Sequence, residues 1–464
     1  MNTPMKKNLH LSAAAALLWT ATAGAAGPAP LDAATAQKLE QQIEQLTQQL
    51  EAVKAQLQQL KAQNETLATQ QQQQAVQVQQ AAAAAKPQEG GISPDLSLWG
   101  YGEVYYAHPQ HDPALSQADL ARAVFGIGYH FDDRTVFNSE FEVEHAVSSA
   151  SDKGEFEVEQ FYVDHQLADW AAVKGGLFLM PFGLLNEHHE PTNFYGVQRN
   201  FVETLVIPST WREGGFGFHG DTAVGIGWDA GLTTGLNLAN WNFTPKNPLY
   251  RTALELEDND VAPMQATHQE LQLADAQHLS QYVSLSYKGI PGLLAGASVF
   301  TGNTALPNTP PGLPDERVTL WETHARWTPG AADLSAVYAR GTFTDTAPYN
   351  IANAGTPNPI PSKFWGYYLQ GAYTVWRHNG YRLAPFVRWE RYDIGASYEI
   401  ASGTSPVPTG LASDGKPWPQ PYDRVWTYGA NFYVNPHVVL KADYQTFRTN
   451  SDFTRFDLGL GLNF

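Results

Sequence analysis

From Phe453 to Phe464 the chain alternates with a period of two. Phe456, Leu458, Leu460, Leu462 and Phe464 share one phase, while Arg455, Asp457, Gly459, Gly461 and Asn463 share the other. Successive side chains of a strand point to opposite faces, so one face of this segment is apolar and the other polar. A strand of a membrane β-barrel has lipid on one side and water on the other and needs this pattern. An amphipathic strand of a soluble sandwich carries it too, so the decision falls to the rest of the chain.

The N-terminus points to export. Lys6 and Lys7 precede an apolar stretch from Leu9 to Trp19, and Ala23-Gly24-Ala25 fits the small-x-small cleavage rule, so residues 1–25 read as a signal peptide. No later run approaches the ~20 apolar residues of a spanning helix, but barrels escape that test because every second residue is polar. The chain has no cysteine, which excludes disulfides, zinc–thiolate sites and thiol nucleophiles and suits passage through an oxidising compartment. Net charge is -18, and removal of Lys6 and Lys7 takes it to -20 (-18 - 2). A chain this acidic is a poor nucleic-acid partner. Aromatic residues make up 12%, as expected of rings that form girdles at membrane interfaces, and equally of a large carbohydrate-binding β protein.

Residues 32–86 have a different character. Leu39, Ile43, Leu46, Leu50, Val53, Leu57, Leu60, Asn64 and Leu67 follow one another at alternating spacings of 4 and 3, an unbroken heptad register. Asn64 falls at an a position, where a buried amide fixes register and partner number; the alternative is that it opens a frayed end. A lone helix with a leucine seam is unstable in water, so the segment implies self-association. Lys86-Pro87-Gln88-Glu89-Gly90-Gly91 breaks the pattern and reads as a hinge.

From Ile92 the period becomes two. Strands are predicted to start at Leu96, Arg122, Thr135, Glu155, Trp170, Arg212, Val224, Leu279, Leu293, Arg317, Ala332, Lys363, Tyr381, Arg424, His437 and Phe453, sixteen in all. Short links such as Phe131–Arg134, Ala168-Asp169 and Asn435-Pro436 alternate with long ones through 181–211, 239–277, 303–316, 345–362 and 393–422. Short turns on one rim and long loops on the other are what outer-membrane barrels show, and a sandwich has no reason to sort its loops by length. Sixteen strands also leave a water-filled lumen and place both ends of the barrel on the short-turn, periplasmic side. The expectation is an all-β transmembrane barrel of sixteen antiparallel strands over 92–464, preceded by a periplasmic coiled-coil helix and hinge over 32–86.

The third long loop, Pro181 to Trp211, is too apolar for a solvated surface loop and is predicted to fold inward as the constriction. Its candidate residues are Glu187, His188, His189, Glu190, Arg199 and Glu203, with Arg212 just beyond. Met180-Pro181-Phe182-Gly183, His189-Glu190-Pro191, the Arg199 segment and Trp211-Arg212-Glu213-x-Gly215 resemble the phosphate-selective porin family of Gram-negative outer membranes. The C-terminus also resembles the aromatic-terminated signal, here Phe464, that such proteins present to the barrel-assembly machinery. The resemblance extends over most of 92–464 and implies a sixteen-stranded homotrimer with an inward-folded third loop.

Phosphate selection needs a ring or ladder of cations. Residues 92–464 carry 40 acidic side chains against 22 basic ones. The lumen phase places Glu140, Glu142 and Glu144 on one face of a strand, which Glu155, Glu157 and Glu159 extend, while the apolar phase shifts at Phe161 and Val163 and implies either a bulge or a part of the strand above the membrane. Arg326, Arg388, Lys441, Arg455 and Asp457 fall in the polar phase of other strands. Acid on one wall and base on another would set a transverse field across the pore; scattered lumen charges away from the narrowest point are the alternative.

His188-His189-Glu190 lacks a third metal ligand fixed by spacing, and adjacent histidines point apart in extended chain, so a polar loop cluster is preferred. The acidic run Glu255–Asp260 lacks the glycine and spacing of a calcium loop. No metal, cofactor or catalytic set is expected. The reading is an outer-membrane porin in contact with lipid, giving passive diffusion of small hydrophilic solutes and ions with a cation bias. A phosphate or oxyanion channel and a barrel-anchored periplasmic tether are the alternatives.

Overall fold

The computed structural model of the chain describes residues 95–146, 154–245, 261–304, 316–400 and 419–464, together with scattered positions between 37 and 58. Those scattered positions are helical and exposed, Leu50 among them. The remaining seam residues Leu39, Ile43, Leu46, Val53, Leu57, Leu60, Asn64 and Leu67 lie outside the described residues, as do the signal segment 1–25, the hinge and the acidic run 255–260.

The described residues from 95 to 464 form a closed wall. Its strands are β1 (Leu96–Pro109), β2 (Gln117–His130), β3 (Thr135–Glu144), β4 (Phe156–Ala168), β5 (Ala171–Leu179), β6 (Arg212–Asp221), β7 (Ile226–Thr233), β8 (Ser280–Tyr287), β9 (Leu293–Asn303), β10 (Arg317–Trp327), β11 (Ala332–Phe343), β12 (Pro361–Tyr373), β13 (Trp376–His378), β14 (Tyr381–Tyr398), β15 (Tyr422–Asn435), β16 (Val438–Phe447) and β17 (Arg455–Asn463). Each pairs antiparallel with its neighbour in sequence, and β17 closes the ring on β1 from Pro109↔Arg455 to Tyr101↔Asn463. β12 and β13 both pair with β14 and are two parts of one stave, so seventeen strands make a sixteen-stave barrel (17 - 1). Fifteen of the sixteen expected starts fall within two residues of an observed one; β2 begins at Gln117, five residues before Arg122.

The alternation decides which phase faces out. In β17 Phe456, Leu458, Leu460 and Leu462 are exposed to the exterior, while Arg455 and Asp457 are fully buried inside. Exposed rings gather near the short-turn rim, where Tyr129 packs on Phe131, and Trp376 on Tyr381 and Phe432. Such a belt is what an interface between membrane and water selects. The predicted bulge is present in β4: Glu140 pairs with Gln160 but Phe141 pairs with Val158, leaving Glu159 as the extra residue. Both Glu159 and Gln160 can therefore face inward before the alternation resumes at Phe161.

The barrel has a hydrophobic core inside its lumen. Third-loop residues Phe182, Phe201, Val202, Val206 and Trp211 pack against inward side chains of the wall, among them Phe300, Val318, Leu320, Phe364 and Tyr392. This corrects the expectation of a polar inward phase on these staves. Where a loop lies on the inner wall, a strand is buried on both faces, and Val318, Leu320, Val337 and Ala339 answer that environment rather than water.

Candidate functional site

The third loop descends into the lumen because its sequence gives it two ways of being held. The first is apolar: Met180, Phe182, Phe201, Val202, Val206, Ile207 and Trp211 are essentially inaccessible, and burying a side chain of this kind is worth about 1.5–3 kcal/mol. The second is polar. Gly183 takes φ +69, a left-handed turn in which a Cβ would meet Glu203 Oε1 at 2.3 Å. Glu203 Oε1 instead accepts the N–H groups of Leu184 (2.5 Å) and Leu185 (2.9 Å), and Oε2 accepts from Asn200 (2.7 Å) and Tyr368 (3.0 Å). Burial pushes the Glu203 carboxyl above the ordinary carboxylate range, and these four donors pull the other way. Asn186 closes the base of the loop: its Nδ2 donates to Met180 O and Trp211 O, and its Oδ1 accepts from Trp211 N.

The wall grips the loop through its backbone. Phe201 N–H donates to Glu390 (2.7 Å), and Val197 N–H to Asp443 (2.6 Å). Arg388 donates to Tyr195 O (3.0 Å), Asn431 to Phe194 O (3.0 Å) and Arg122 to His189 O (2.6 Å). Lys441 Nζ lies 3.4 Å from the centroid of the Phe194 ring. The glycines of the inward phase of β17 make room for the loop tip. A Cβ on Gly461 would meet Pro191 at 2.6 Å, and one on Gly459 would meet Val197 at 3.1 Å.

The structure therefore corrects the expected transverse field. Arg388 pairs with Glu390 at 2.6 Å, Arg455 with Asp457 at 2.9 Å and Arg326 with Asp333 at 2.7 Å, so cations and carboxylates are mixed on the same or neighbouring staves. Arg212 bridges Glu157 (2.5 Å) and Glu270 (3.0 Å). Glu140, Glu142 and Glu144 do line the interior of β3, buried rather than bathed.

Of the loop residues singled out by sequence, the structure separates the two histidines. His188 is exposed, whereas His189 is 3% exposed and reaches Tyr101 on β1 (2.6 Å) and Glu159 on β4 (3.5 Å). The pair is thus not the uniform polar cluster expected. Arg199, the loop's one arginine, is buried and donates to Ser209 and Thr210. Glu187 is exposed and Glu190 half-buried. Sequence reasoning passed over Glu390 and Asp443, although Arg388-x-Glu390 and Lys441-x-Asp443 place opposite charges two apart on one strand face, a signal the strand period makes readable. It also took 239–277 as external, whereas Trp241, Ala262 and Met264 join the core, and Ser209 N–H donates to Gln265.

A sixteen-stave wall with an inward third loop, rings at the rim and a lipid-facing apolar phase can be compared with known proteins. Residues 98–454 match the family described as phosphate-selective porin O and P. The chain belongs to that family. An uncharacterized protein of Aquifex aeolicus (strain VF5) is 31% identical over 363 residues, 76% of each chain. The structure of Salmonella typhi OmpF in complex with daunomycin is similar in fold, with a TM-score of 0.51 at 13% identity, covering 80% of this chain and 99% of that one. This porin is accordingly a channel-forming barrel of a Gram-negative outer membrane.

Proposed function

We propose that this porin passes small hydrophilic solutes and ions by passive diffusion, with a preference for cations, and that it catalyses no reaction. One observation carries the proposal: the accessible carboxylates of the third loop are Glu187 and Glu190, while its one arginine, Arg199, is buried against Ser209 and Thr210. A permeant ion passing the loop meets carboxylates before it meets a guanidinium, and rings of carboxylates favour cations. The heptad seam supports a homotrimer whose coil over 32–86 stands in the periplasm, with Phe464 read by the assembly machinery.

The test is the reversal potential of single channels in planar bilayers under a KCl gradient. Cation preference that shrinks toward zero in the double variant Glu187→Gln, Glu190→Gln is the expected result. Anion preference, with block by phosphate, would establish instead the oxyanion channel that the family's description favours. A barrel with no conductance, whose loss and whose deletion of 32–86 give the same cell-envelope defect, would be the tether.

A further inference from the structure

His189 is a third-loop residue that sequence spacing leaves without metal partners, and the fold supplies them. Its Nε2 sits with carboxylate oxygens of Glu140 and Glu159, all three atoms within 4.8 Å of one another and all three residues buried. The ligands come from β3, from the bulge of β4 and from the loop, so no local pattern could have announced them.

With a neutral imidazole at His189 the hydrogen bonding around the cluster does not close. His189 Nδ1 is 2.8 Å from the carbonyl oxygen of Asn186. A carbonyl only accepts, so Nδ1 carries the proton in the neutral ring and Nε2 presents its lone pair inward. This is the arrangement that orients a metal-ligating histidine. The Tyr101 hydroxyl lies 2.6 Å from that Nε2 and 2.9 Å from Glu159 Oε2, one proton facing two acceptors. Among the described residues nothing donates a hydrogen bond to Glu159 Oε1, although Glu159 is fully buried. An unsatisfied buried carboxylate oxygen costs on the order of 1–3 kcal/mol or more.

Charge points the same way. Glu140 is held by Trp99 Nε1 and Gln160 Nε2, both at 2.6 Å and both neutral donors. The guanidinium on β2, Arg122, is engaged by Glu103 at 2.8 Å and by the His189 carbonyl. Two carboxylates converging on an imidazole lone pair in a buried site suit a cation at their centre, in place of the proton that would make His189 an imidazolium paired with Glu159. His189 Nε2 and Glu159 Oε1 are 3.5 Å apart. That is close to the edge, about 3.4 Å, of a tetrahedron with the bond lengths of about 2.1 Å that zinc makes to nitrogen and oxygen.

We propose that Glu140, Glu159 and His189, with the Tyr101 hydroxyl beside them, bind a divalent transition-metal cation that bolts the third loop to the barrel wall. Nitrogen and carboxylate donors without thiolate suit Zn2+ or its neighbours in the first row. The site joins β1, β3 and β4 to the loop, on the stretch of wall that adjoins its grip on β14 to β17.

The experiment is calorimetric titration of the purified, chelator-stripped full chain in detergent with ZnCl2, the barrel of every variant being checked by circular dichroism. One Zn2+ per chain is expected, with affinity lowered more than about tenfold in His189→Gln and in Glu159→Gln and unchanged in His188→Gln. No uptake by the folded wild type, or uptake that neither substitution weakens, overturns the proposal. Should those variants not fold, the wild-type Co2+ spectrum decides. Intense visible bands displaced by one equivalent of Zn2+ support the site, and a hexa-aqua spectrum refutes it.

Discussion

Asp443 on the inner wall accepts a 2.6 Å hydrogen bond from the backbone N–H of Val197, 246 residues earlier in the chain. A charge that could have faced the permeation path is committed to holding the inward-folded loop. Arg388 and Glu390 do the same at Tyr195 and Phe201. Ionised partners make hydrogen bonds roughly twice as strong as neutral ones, so a few such contacts can hold a loop tip that spans the lumen.

Removing that acceptor should loosen the tip. Asp443→Ala leaves the Val197 N–H buried without a partner, at an expected cost of about 1–3 kcal/mol. The readout is open-channel current noise, which should rise while the barrel remains folded. Noise unchanged from wild type would mean the loop tip is held without this bond.

Gly461 supplies the complementary test by steric means. Gly461→Val places a side chain where Pro191 lies, and overpacking of this kind costs about 1–3 kcal/mol. The wall is continuous and the loop tip is not, so the loop should yield. Single-channel conductance is expected to change while the far-ultraviolet dichroism of the barrel does not.

Trp211 closes the base of the loop between Phe182 and Phe300, with ring centroids 4.9 Å from each. Trp211→Ala should cost about 3–5 kcal/mol, seen as a lower urea midpoint in lipid vesicles. Cleavage of the 181–211 loop by added protease should accelerate in parallel, because an undocked loop exposes its backbone.

His268, in the loop between β7 and β8, is half-buried 3.2 Å from Glu270, and desolvation holds its pKa below the usual 6.5. The folded chain therefore binds this proton less readily than the unfolded chain. The stability contributed is full above 6.5 and is lost as pH falls below that value toward the folded pKa. Urea midpoints taken from pH 7.5 down to about 5.5 should fall for wild type, and fall less for His268→Gln. Equal slopes would remove His268 from the acid response.

Much of this molecule is legible in local sequence, because alternation is a property of neighbours. The period of two placed the strand starts, assigned Phe456 to Leu462 to lipid and Arg455 and Asp457 to the interior, and the slip of phase at Phe161 announced the bulge at Glu159. Loop lengths sorted the two rims. The identity of each inward residue's partner was not legible. Val318 and Leu320 face a docked loop rather than water, Glu159 meets His189, and Gly461 is small because Pro191 arrives there. These contacts exist only once β17 has closed on β1 and the third loop has turned into the enclosed space. Their chemistry depends on residues brought together by ring closure, which no period in the chain records.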